Sequence, residues 1–220
     1  MNRSLAQFFS VVGHPILVVT YGLLLLIWVN PYAFGARSLT DQPATLLLIM
    51  VFAYTAVIPG LGVLLMKPLG LVTSLEMPDK QERIGPYIVT GVFYLWLFKN
   101  LMSGGQVPQM FVQFVLGATI GLFLVFFFNI FTKISAHAAG MGGMVAATLL
   151  TAFEWGGSSA GLPIPGGTVW LSLNFLLAVV VVLAGLVGAA RLSLGAHTPP
   201  DLYRGYVAGI FAQVAAAWLL

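Results

Sequence analysis

The sequence predicts an all-α protein, a polytopic transmembrane helical bundle of about six to seven spans. Three observations carry that prediction. Of the 220 residues, 60% are hydrophobic and only 7% are charged, whereas a water-facing surface needs roughly a quarter charged. The mean hydropathy is +1.00. No Asp, Glu, Lys or Arg occurs from Ser4 to Ala36, from Asn100 to Thr132, or from Trp155 to Ala190. Each gap is longer than the roughly 20 apolar residues that cross about 30 Å of hydrocarbon. Most of the surface must therefore face lipid, which excludes an ordinary soluble domain. The chain has no cysteine, so disulfide staples and Cys-ligated zinc or iron–sulfur sites are excluded as well.

Apolar runs bounded by polar or Gly/Pro clusters place the helices at 14–32, 44–66, 86–102, 109–131, 137–154, 169–190 and 200–219. The first is read as a retained span, because Ile16 to Val29 outruns most signal-peptide cores and no small-x-small cleavage site follows. The second closes at the polar connection Lys67–Gly85. The third is short and ends at Lys99-Asn100, where the lysine can snorkel to the headgroups. The fourth lies between Ser103–Pro108 and Thr132–Ala136. The fifth opens behind Ser135, which can cap it. The sixth follows the Gly156–Thr168 connection, and the last begins after Arg191–Pro199. No linker separates two domains and no repeat is visible, so residues 1–220 form one integral membrane domain.

Segments two spans apart lie on the same side of a membrane. The 67–85, 132–136 and 191–199 connections therefore share a face. That face holds Lys67, Glu76, Asp79, Lys80, Glu82, Arg83, Lys133, Ser135, His137, Arg191, His197 and Asp201, against Arg37, Asp41, Lys99 and Glu154 opposite. In a chain so short of charge, such one-sidedness points to a polar site at one membrane surface.

Two local patterns stand out there. Arg191-Leu-Ser-Leu-Gly-Ala-His197-Thr-Pro-Pro-Asp201 packs a guanidinium, an imidazole and a carboxylate into one connection. The same residues also make a helix start, with Thr198 as N-cap, Pro199 at the first position and Asp201 at the third. Arg191 alone would serve as an interface anchor. In Lys133-Ile-Ser135-Ala-His137, the exposed N–H groups of a capped helix start attract anions. The plainer alternatives are an interfacial histidine and a run of small residues, Ala138 to Gly143, that permits close helix packing. For Lys80 and Arg83 the corresponding alternative is an interfacial charge network with Asp79 and Glu82.

Arg-x5-His-x3-Asp, with an upstream Ser-x-His opening another span, resembles the type-2 phosphatidic acid phosphatase superfamily of integral membrane lipid phosphatases. The resemblance covers a phosphatase-like core of about 76–209. The family's last signature, Ser-Arg, five residues, His, three residues, Asp, matches from Arg191 to Asp201, with Ala190 in place of its Ser. Its Pro-Ser-Gly-His matches at Ser135 and His137, with Ile134 and Ala136 replacing Pro and Gly. The first signature, Lys, six residues, Arg-Pro, is degenerate: Lys80 and Arg83 are separated by two residues. A stretch long enough for two spans lies between Pro86 and Ser135, which preserves parity.

The resemblance implies a phosphatase that needs no metal or other cofactor. His197 would attack phosphorus and form a phosphohistidine while Asp201 holds its other ring nitrogen. His137 would protonate the leaving group and then activate water. Arg191, Arg83 and Lys80 would neutralise the phosphate oxygens, with Ser135 adding a hydrogen bond. The implied partners are the bilayer and a lipid phosphate or diphosphate, with no nucleic acid, and the implied location is a cell membrane of the bacterial inner-membrane kind. Two other classes fit the residues. A metal-dependent membrane hydrolase would use His137, His197 and Asp201 as ligands. A transporter or scaffold would use the arginines as an anion site without turnover.

Overall fold

The computed structural model describes residues 1–74, 77 and 81–220. Lys80, with Glu76 and Asp79, lies outside the described residues. Helices α1 (Arg3–Val12) and α2 (Pro15–Val29) meet at a 63° bend. A residue before proline is pushed out of the helical region, and His14 is extended there, its ring Nδ1 accepting from Ile16 N–H at 3.4 Å. The expected first helix therefore starts at the proline, and α1 is an additional element.

Next come α3 (Gln42–Phe52), a single π turn (Ala53–Val57) and α4 (Ile58–Met66), together one helical run. Pro59 has no N–H for the Thr55 carbonyl, and the turn before it widens so that Ile58 N–H bonds Ala53 instead. Helices α5 (Ile84–Gly104), α6 (Gln109–Phe131) and α7 (Ala136–Glu154) follow, and α8 (Leu173–Ser193) and α9 (Pro199–Leu219) close the chain. Between α7 and α8, the strands β1 (Ser159–Ile164) and β2 (Gly167–Ser172) form an antiparallel hairpin around Pro165-Gly166. That hairpin is a correction: the segment reads as a plain connection, and the helix after it begins at Leu173 rather than at residue 169. Thr168-Val169-Trp170-Leu171 has the β-branched and aromatic character of a strand. Trp28 Nε1–H donates to Gly161 at 2.8 Å and fixes the hairpin on α2.

The fold is otherwise all-α, and its exterior is apolar. Leu46, Ile49, Leu65, Phe131, Phe153, Val182, Phe211 and Trp218 are exposed. Among the described residues, four helices are long and apolar enough to cross a membrane: Gln42–Met66, Gln109–Phe131, Ala136–Glu154 and Leu173–Ser193. The bent α1–α2 pair makes a fifth if it counts as one span. Helices α5 and α9, at 21 residues each, are long enough but less apolar. Length and composition thus give four or five crossings, against the six to seven expected.

Small residues bring α7 and α9 together. Ala138, Ala139, Gly142 and Gly143 face Gly205, Ala208, Gly209 and Ala212, all buried. A Cβ at Gly205 would stand 2.5 Å from the Ser135 carbonyl oxygen, and one at Gly142 2.6 Å from that of Tyr206. One at Gly209 would overlap the Ala139 carbonyl oxygen. Gly209→Ala should therefore destabilise the bundle by about 1–3 kcal/mol, the usual cost of overpacking. Gly185→Ala, whose Cβ meets nothing within 4 Å, should leave stability unchanged. Thermal unfolding of both variants in detergent tests this pair.

Candidate functional site

The site begins where α8 ends. Gly195 takes φ +65°, a conformation glycine reaches without a Cβ penalty. Its N–H bonds the Leu192 carbonyl at 2.9 Å, and Ala196 N–H bonds that of Arg191 at 3.1 Å. This paired closure is a Schellman turn. It reverses the chain over the helix end, so that the five residues after Arg191 return His197 toward the arginine. Thr198 and Pro199 then start α9, and Asp201 Oδ2 accepts from Thr198 N–H at 2.9 Å.

Asp201 Oδ2 also lies 3.6 Å from His197 Nδ1. That is an ion-pair distance, longer than a hydrogen bond. His197 Nδ1 is buried without a hydrogen-bond partner. Capping and contact with the histidine thus fall on the same carboxylate oxygen, and the cap holds it more closely. Exposed Arg204 reaches the other oxygen at 3.7 Å and donates to Thr132 Oγ1 at 2.9 Å.

The start of α7 docks on the start of α9 through a backbone bond, Ser135 N–H to the Asp201 carbonyl, at 3.1 Å. Ser135 is fully buried, and its Oγ accepts from Ala138 N–H at 3.3 Å. At the second residue of α7, His137 Nε2–H donates to the Ser10 carbonyl oxygen at 3.1 Å. Arg191 Nη1 donates to Ser10 Oγ at 2.7 Å, while its Nε is buried without a partner. His14 sets its ring edge-on to that of His137, with centroids 5.2 Å apart. Arg83 lies within electrostatic reach of Arg191. It donates through Nε to the Met77 carbonyl at 2.9 Å and through Nη1 to Asn129 Oδ1 at 3.4 Å.

Six of the expected residues, Arg83, Ser135, His137, Arg191, His197 and Asp201, therefore gather at one end of the bundle. Among the described residues, neither Arg83 nor Arg191 pairs with a carboxylate. Glu82 instead accepts from Thr73 N–H at 3.1 Å and makes no ion pair with Arg83 among the described residues, while Lys80 and Asp79, the other members of the expected network, lie outside them. The zinc alternative fares similarly: among the described residues, no three of His, Cys, Asp and Glu form a group that could hold a metal ion.

Ser10, His14 and Asn129 were not foreseen. Asn129 interrupts an aromatic run, Phe126-Phe127-Phe128-Asn129, and a polar residue inside an apolar helix is a site candidate in its own right. His14-Pro15 reads as a helix boundary. Ser10 carries no signal in the sequence. No protein-family model, no curated protein and no solved structure matches this chain.

Burial lowers the His197 pKa to about 4, helped by the positive charges of Arg191 and Lys133 and opposed by Asp201. At neutral pH the ring is uncharged and available as a nucleophile. An unfolded histidine titrates near 6.5, so between about 6.5 and about 4 the unfolded chain binds the proton and the folded chain does not. The stability contributed by the neutral ring is complete above that window and is lost as pH falls through it. The melting temperature in detergent should drop across the window, and His197→Gln should flatten the drop. An equal slope in both proteins would assign the titration elsewhere.

Proposed function

We propose that this protein is an integral membrane phosphatase that hydrolyses a lipid phosphate or diphosphate through a phosphohistidine, in the manner of the type-2 phosphatidic acid phosphatases it resembles. One observation carries the reading: His197 and His137 stand at the same end of the bundle as a partly buried guanidinium, Arg191, that has no carboxylate partner among the described residues. A cation so placed in a charge-poor protein is matched to an anion supplied from outside.

The neutral His197 ring attacks phosphorus through Nε2, forming the P–N bond as the P–O bond to the lipid breaks. Asp201, 3.6 Å from Nδ1, stabilises the positive charge that develops on the ring. With Nε2–H held by the Ser10 carbonyl, His137 in its protonated form gives the Nδ1 proton to the departing oxygen and then takes one back at Nδ1 from water, which attacks the phosphohistidine and releases phosphate. Arg191 and Arg83 neutralise the non-bridging oxygens. The interfacial position suits a substrate whose head reaches the polar cluster while its tails stay in lipid. We assign the protein to a cell membrane as a multi-pass chain. Counting α1–α2 as one crossing, α3–α4 as one, and α5 to α9 singly gives seven spans.

A second reading, anion binding without turnover, draws on the cap geometry. Thr198 holds Asp201 Oδ2 more closely than His197 does. Phosphate release by the purified protein from a panel of lipid phosphates decides between them. The enzyme reading predicts release that EDTA leaves intact and vanadate blocks, since five-coordinate vanadate resembles the transition state. His137→Ala should slow an alkyl phosphate by roughly 10²–10⁴-fold, the usual worth of general acid help, and spare only the first-turnover burst of an acidic phenol. Phosphate binding without release would establish the second reading. Activity abolished by EDTA and restored by zinc would establish the metallohydrolase.

A further inference from the structure

The helix break at Pro15 frees a backbone carbonyl. In a continuing helix, His14 N–H would bond Ser10 four residues back. It bonds the Val11 carbonyl instead, at 3.2 Å, and the Ser10 carbonyl is left to accept from His137 Nε2–H. Ala6, Ser10 and Gly13 form the buried side of α1. Gly13 lets it lie close on α8, since a Cβ there would collide with Val187. Ser10 is thus held by its own main chain, 8% exposed, between Arg191 and His137, two side chains on which the proposed reaction relies.

Its hydroxyl is only half used. The oxygen accepts from Arg191 Nη1 at 2.7 Å, which leaves the hydroxyl hydrogen to donate. The Nε of the same guanidinium is buried and unpartnered. A free O–H and a free N–H, fixed relative to each other by a short hydrogen bond, can be met together by two oxygens of one phosphate group. The outer side of α1 carries the exposed Leu5, Phe8 and Val12, which seat the helix against lipid.

We propose that the Ser10 hydroxyl is a further phosphate-binding group, so that α1 forms one wall of the phosphate site. The substrate class rests on the phosphatase reading; the ligand chemistry, a tetrahedral oxyanion, does not. The test compares wild type, Ser10→Ala and Ser10→Thr in detergent. One arm follows the thermal shift with inorganic phosphate and with vanadate, and the other follows KM and kcat on an alkyl lipid phosphate.

Loss of one hydrogen bond to a charged oxygen should weaken vanadate binding and raise KM by about 10- to 100-fold. In Ser10→Ala, kcat should change far less, and Ser10→Thr should restore affinity because it keeps the hydroxyl. Equal affinities in wild type and Ser10→Ala overturn the proposal. So does an equal loss in Ser10→Ala and Ser10→Thr, which marks packing rather than the hydroxyl. Absence of any oxyanion-dependent shift in wild type overturns it too. Binding that depends on Ser10 without turnover upholds the ligand role and removes the phosphatase reading; turnover indifferent to Ser10 does the reverse.

Discussion

The backbone bond from Ser135 N–H to the Asp201 carbonyl joins the starts of two helices from distant parts of the chain, and the site depends on it. It can form at 3.1 Å because no side chain separates the helices: Gly205 and Gly209 face the α7 backbone. Lipid offers little hydrophobic drive for helices to associate, so close van der Waals contact and hydrogen bonds must hold them. The small residues of α7 and α9 supply that contact along the seam. The polar groups of the two helix starts then meet at its end. His137 is fixed two residues after Ser135, and the reversal at Gly195 fixes His197 before Asp201.

Charge scarcity makes single polar residues serve two structural purposes. Asp201 satisfies an N-terminal N–H of α9 while setting a negative charge beside His197. Ser10 satisfies Arg191 with its hydroxyl and His137 with its carbonyl. In a low-dielectric setting an unpaired buried polar atom is costly. Among the described residues the exceptions are Arg191 Nε, His197 Nδ1 and Glu82 Oε2, and the first two belong to residues assigned to the phosphate chemistry.

Much of this was legible in the sequence. Helix positions follow from the apolar runs, and the shared face of Arg83, His137 and His197 follows from parity. The cap at Asp201 follows from Thr-Pro-Pro-Asp, whereas its contact with His197 is what the family resemblance implies. Three features were not legible, each for a physical reason. The hairpin at 159–172 is stabilised by cross-strand pairing and by Trp28, a partner far away in the chain. Ser10 gains its partners only when Pro15 bends the chain by 63°, an angle that tertiary packing sets. Asn129 meets Arg83 across two helices. Lys80 lies outside the described residues.

The central claim is that His197 carries the phosphoryl group. Rapid quench of the purified protein with a labelled aryl phosphate, followed by mapping of the acid-labile, base-stable label, tests it most directly. The account predicts label on His197 in wild type, more of it in His137→Ala because hydrolysis of the intermediate lacks its base, and none in His197→Ala. Label on His137 in His197→Ala, or full turnover in that variant, would contradict it.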